Sequence, residues 1–196
     1  MKNKWLILAG AVALTAFSTA QAIPITGQIA MSGSAMLDNT QLGLSTQASV
    51  FSNVRVGGLP SGSFTGTFND VVTWSAFTWV PAGSATPLWT FSDAGTGYTY
   101  TFNLASDTII QRDNSFLNLL GTGTLFITGS GSPYDVGGTA GTWSFNISDT
   151  SGGSGANFVF TFANSQTAVV PDGGATVMLL GAALSALGLF RKKLIA

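Results

Sequence analysis

Apolar and polar side chains alternate through GYTYTFNLA, residues 97–105: Tyr98, Tyr100, Phe102 and Leu104 fall on one face, Thr99, Thr101 and Asn103 on the other. A period of two is that of a strand buried on one side. The same spacing returns in GTWSFNIS with Trp143, Phe145 and Ile147, and in ANFVFTFA with Phe158, Phe160 and Phe162. SVFSNVRV and SGSFTGTF are looser versions of it. Between these runs stand GGLPSG, SDAGTG, GSGSPYDVGG and SGGSG, whose glycines reach positive φ without steric cost and so turn the chain. About ten short strands at this spacing, with no helical period before residue 175, predict an all-β fold, an antiparallel β-sandwich or jelly roll.

One run does not obey the simple pattern. In VVTWSAFTWVP, residues 71–81, Trp74 falls on one face while Phe77 and Trp79 fall on the other. Two readings follow: a central strand covered on both sides, or one face open as a ligand platform built on Trp74 and Trp79. Aromatic side chains in strands more often form the wall of a core than a sugar-stacking surface, because each buries a large apolar area. Most of Trp74, Trp79, Trp89, Tyr98 and Trp143 are therefore expected to pack inward.

The two ends of the chain are built differently from its middle. The start, MKNKWLILAGAVALTAFSTAQA, joins Lys2 and Lys4 to an apolar run and closes on Ala20-Gln21-Ala22. That order is the one a secretory signal peptide needs, with Ala20 and Ala22 small enough for signal peptidase, so residues 1–22 are expected to be removed and the mature chain to begin at Ile23. At the other end, VVPDGG precedes residues 175–190, a run of 16 uncharged residues, and then Arg191, Lys192 and Lys193. As a helix this run would measure about 24 Å, short of a typical hydrocarbon core by an amount that local thinning or snorkelling accommodates. The three cations hold such a helix on the cytoplasmic side while the signal peptide sends residues 23–168 outward. Pro171 and the pair Gly173-Gly174 prevent the helix from extending upstream.

Composition narrows the chemistry. Only 8% of the 196 residues are charged, against roughly a quarter in an average soluble protein. From residue 23 to residue 170 two arginines, Arg55 and Arg112, stand against seven aspartates, a net charge of −5. A body of that sign has no cationic stripe for phosphates, which argues against nucleic-acid binding. There is no Cys, so an exported domain must be held by burial and backbone pairing alone. With no His, Cys or Glu either, the common triads, thiol nucleophiles and most zinc sites are excluded. Asp107 and Asp113 remain as a formal carboxylate pair for glycoside hydrolysis, but nothing in their spacing requires it. No EF-hand-type calcium loop is present. The expectation is a protein that is not an enzyme and that uses no metal or cofactor.

The order of turn, apolar run and cations resembles the PEP-CTERM sorting signal of exported bacterial proteins, in its VPDGG/VPDSG-type variant. The motif residues are Val170, Pro171, Asp172, Gly173 and Gly174, and the usual Pro-Glu-Pro is replaced by Pro171-Asp172-Gly173. The resemblance implies recognition by exosortase, a membrane-embedded enzyme that cleaves near the Pro-containing motif, and a transient anchor in the inner membrane before delivery to the cell surface or outside. LLGTGTLFITGSGSPYDVGGTAGTWSFNIS, residues 119–148, is similar to a segment of other short proteins carrying this signal, in which a G-x-G-x-L strand precedes a G-T-W-x-F strand. Such proteins imply a Gram-negative, exopolysaccharide- and biofilm-forming source. The resulting expectation is a non-enzymatic surface or matrix protein; the alternatives are a carbohydrate-binding module contacting exopolysaccharide and, more distantly, an aspartate-based glycosidase.

Overall fold

The computed structural model describes residues 22–148 and 154–164. The expected signal peptide up to residue 21, the expected sorting motif, the apolar run and the basic end all lie outside the described residues. Among the described residues nine strands form in chain order: β1 (Gly27–Leu37), β2 (Gln47–Gly57), β3 (Thr73–Trp74), β4 (Phe77–Thr78), β5 (Ala85–Ser92), β6 (Thr99–Arg112), β7 (Phe116–Thr128), β8 (Thr139–Ser148) and β9 (Ser154–Asn164). The helical elements among the described residues are two single 3-10 turns, Leu42–Leu44 and Gly62–Phe64. Among these residues no helix is long and apolar enough to cross a membrane.

The all-β class is as expected, but two packed sheets do not form. All nine strands belong to one antiparallel sheet in the order β3-β5-β6-β7-β8-β9-β1-β2-β4. The sheet curls until its margins meet through residues 69–74. On one side Asn69 N–H donates to Val56 O (2.9 Å), Val56 N–H to Asp70 O (3.0 Å) and Val72 N–H to Val54 O (3.0 Å). On the other, Thr73 and Trp74 pair with Thr90 and Trp89 of β5. Closure satisfies backbone groups that an open edge would leave unpaired.

The interior is filled by the alternating residues. Tyr100, Phe102 and Leu104 of β6, Trp143, Phe145 and Ile147 of β8, and Phe158, Phe160 and Phe162 of β9 are all buried. A pair of glycines makes room for two of these rings. Gly123 of β7 lies opposite Gly141 of β8. The Phe102 ring lies over Gly123 and the Phe162 ring over Gly141, so that a Cβ on either would overlap the ring. The two rings then meet edge to face at 5.3 Å. The G-x-G and G-T-W patterns of residues 119–148 thus record where large rings rest directly on backbone. Gly123→Ala is expected to destabilise the fold by about 1 to 3 kcal/mol through overpacking, measured by urea unfolding; an unchanged midpoint would mean that Phe102 does not rest there.

Two stretches depart from their expected form. SGSFTGTF makes no strand: Gly62 and Gly66 take positive φ (62° and 97°) and break it. Its hydroxyls instead accept from neighbouring backbone, Thr26 N–H to Ser63 Oγ (3.0 Å) and Gln28 N–H to Ser61 Oγ (3.2 Å), while Phe64 is buried as a plug. Residues 71–81 break at Ser75-Ala76 into β3 and β4, which pair with β5 and β2 respectively. The break resets the alternation, so residues of both parities point inward.

Candidate functional site

The ligand-platform reading of Trp74 and Trp79 is corrected by this packing. Trp79 is buried and its Nε1–H donates to Ser45 O at 2.9 Å. Trp74 is half-buried, with its ring 5.1 Å from Phe160, 5.2 Å from Phe158 and 5.3 Å from Phe51. Neither ring presents an open face for stacking on a sugar, because the break at Ser75-Ala76 turns both into the core.

The two aspartates considered for glycoside hydrolysis are not brought together. Asp107 is a buried strand residue whose Oδ1 accepts from Gly83 N–H (2.9 Å), and burial pushes its carboxyl above the usual range. Asp113 sits at the β6–β7 turn, where Oδ1 accepts from Ser115 N–H (2.8 Å) and Phe116 N–H (2.9 Å). The Ser115 bond, with Gln111 and Phe116, holds its carboxyl below the usual range. Asp113 lies six positions beyond Asp107, about 20 Å along an extended chain, too far to flank one glycosidic bond. Among the described residues no group of three His, Cys, Asp or Glu side chains is placed to hold a metal.

What the fold does bring together is the two points where the chain leaves the domain. Gly27 at the start of β1 pairs with Asn164 at the end of β9. Asn164 Nδ2 donates to Ile25 O (3.2 Å) and to Ala140 O (2.9 Å), tying both ends to β8. Upstream, Ile23 N–H donates to Pro133 O (2.9 Å) and Asp135 N–H donates back to Ile23 O (3.2 Å). Ala22, the last residue of the expected signal peptide, is exposed. Its neighbour Ile23 is already held in the fold, and an ammonium at Ile23 retains the donor to Pro133.

The loops at this end form one plate. Residues 58–68, 93–98 and 129–138 are joined by Tyr100 Oη–H to Ser63 O (3.2 Å) and by the Tyr98 and Tyr134 rings, 6.3 Å apart. Burial pushes the Tyr100 phenol up to about 12. Asp93 closes the 93–98 turn by accepting from Gly95 N–H (2.8 Å), Thr96 N–H (3.2 Å) and Thr96 Oγ1–H (2.7 Å), and the Thr96 hydroxyl with these amides holds it below the usual range. Asp70 nearby is pushed up by burial and by the charge of Asp93.

From Asn164 the chain continues into the segment that carries the motif. The family model described as the VPDSG-CTERM motif matches residues 169–194. The chain ends in a sorting signal of PEP-CTERM-like, exosortase-read type. Gly173 stands where the motif's name has Ser. No curated protein and no solved structure matches the chain. The match spans Val170, Pro171, Asp172, Gly173, Gly174 and the cations Arg191, Lys192 and Lys193, all outside the described residues, as is Ala20. The signal implies processing by exosortase, export and a membrane-anchored precursor.

The sequence pattern did not announce that Gly27 and Asn164 would adjoin. The signal was topological: an up-and-down circuit closed by eight segments (β1, β2, residues 69–74, and β5 to β9) returns the chain to the end where it began.

Proposed function

We propose that this is an exported, non-enzymatic structural protein of the cell surface or extracellular matrix of an exopolysaccharide-producing Gram-negative bacterium. The chain is cut by signal peptidase after Ala22, held in the inner membrane by residues 175–190, and processed by exosortase near Pro171-Asp172. The observation that carries this reading is the VPDSG-CTERM match at residues 169–194. Two features of the domain support it. Its interior is occupied by packed aromatic rings rather than a cleft, and both chain exits lie at one end, so a single face can be turned toward a membrane while the remainder faces outward.

The export step has a direct test. Expressed in a Gram-negative host, a chain ended at residue 168 should be recovered from the periplasm, free of membranes, with Ile23 as its first residue by N-terminal sequencing. The full chain in the same host, lacking exosortase, should remain with the inner membrane. A truncated product still carrying Lys2, or one equally bound to membranes, would count against the reading.

A further inference from the structure

The four most exposed large apolar side chains among the described residues are Leu59 and Val136 (each 90% exposed), Phe68 (65%) and Val71 (64%). All four belong to the end of the fold where the chain departs for its tail. Leu59 and Phe68 lie in the β2–β3 connection and Val136 in the β7–β8 connection, while Val71 lies where residues 69–74 bridge back to β2. Ile23, half exposed, stands beside Val136 through its bridge to Tyr134. At the opposite end the corresponding connections run through Leu42–Leu44 and the Asp113 turn.

We infer that this end is a membrane-facing plate: in the anchored precursor the tips at Leu59, Phe68 and Val136 rest in the headgroup boundary of the bilayer. The inference rests on the anchoring role proposed for residues 175–190. Ten residues separate Asn164 from the start of the apolar run, and ten residues reach at most about 35 Å even fully extended. The tether leaves from this end, so this end is the part of the domain held nearest the lipid. Confinement raises the local concentration of surface so far that weak apolar contacts suffice. Solvent-exposed side chains of this size are costly in water and gain by entering the interface. The loops are held in place for this by the Tyr98, Tyr100 and Tyr134 contacts rather than by the membrane. Asp70, Asp93 and Asp135 on the same plate set the lipid preference: an uncharged, zwitterionic surface over an anionic one.

The absence of cysteine makes the test clean. Full-length chains carrying one substitution each, Leu59→Cys, Val136→Cys or the opposite-end control Leu44→Cys, are inserted into phosphatidylcholine vesicles and labelled with a polarity-sensitive fluorophore. Flotation reports whether the tail anchors the chain, independently of the plate. In floated material the labels at positions 59 and 136 should emit at shorter wavelength than in the truncated chain free in buffer and should be quenched by brominated lipid. The label at 44 should show neither effect. Water-like emission at 59 and 136, equal to that at 44, would overturn the inference while leaving the anchor intact. Blue-shifted emission without lipid quenching would mean that protein, not lipid, covers the plate, and would overturn it as well. Failure to float would remove the anchoring role on which it rests.

Discussion

Replacing Phe160 by Ala should destabilise the domain by about 3 to 5 kcal/mol, the range for emptying a well-packed aromatic site. Phe160 is fully buried in β9, and its ring is the hub of the interior. It stacks on Trp143 at 5.9 Å, meets Trp74 edge-on at 5.1 Å and Trp89 at 6.0 Å, and leans on Phe102 at 5.8 Å. These partners come from β8, β3, β5 and β6, so one deletion loosens contacts between opposite walls of the interior. Four surrounding rings are too large and too closely held to close the void by small shifts, which places the cost toward the upper part of that range. With no disulfide to limit the unfolded chain, a loss of this size is a large fraction of the roughly 5 to 15 kcal/mol that holds a typical domain. Urea unfolding followed by tryptophan fluorescence measures it. A loss below about 1 kcal/mol would contradict the interior placement of the β9 phenylalanines.

The parts of this fold that were legible in the sequence are those fixed by local alternation. Tyr100, Phe102 and Leu104, or Trp143, Phe145 and Ile147, disclose their buried face because each lies in an unbroken strand, where side-chain direction follows directly from parity. Residues 71–81 concealed theirs. Ser75-Ala76 is not a turn-like pair, yet the chain breaks there so that β3 can pair with β5 and β4 with β2. The break answers to partners far away in sequence. The choice between one closed sheet and two stacked ones was hidden for the same reason, since it depends on residues 69–74 reaching both β2 and β5. Gly123 and Gly141 could be read as strand glycines, but that they seat Phe102 and Phe162 is a fact about cross-strand register. The tail behaves differently. An enzyme that reads a short segment of chain needs the motif in order, and order is what a sequence displays.

The largest functional effect expected of any change in the chain lies in that tail. Pro171 and Asp172 contribute no apolar length to residues 175–190 and no charge to Arg191, Lys192 and Lys193, so substituting both by Ala leaves intact the features that insert and orient a membrane segment. If the tail is an inert anchor, the variant and the natural chain have the same fate. If it is a sorting signal, the variant is retained as precursor. The measurement is the intact mass and membrane association of both chains, pulse-labelled in a strain with the cognate exosortase and in one without it. Only the natural tail in the exosortase-bearing strain should be converted to a product about 2.5 kDa lighter, taking roughly 25 residues at the chain's mean residue mass; the other three combinations should keep the uncut tail and stay membrane-bound. The same fate in all four combinations would show that the tail is an anchor and not a sorting signal.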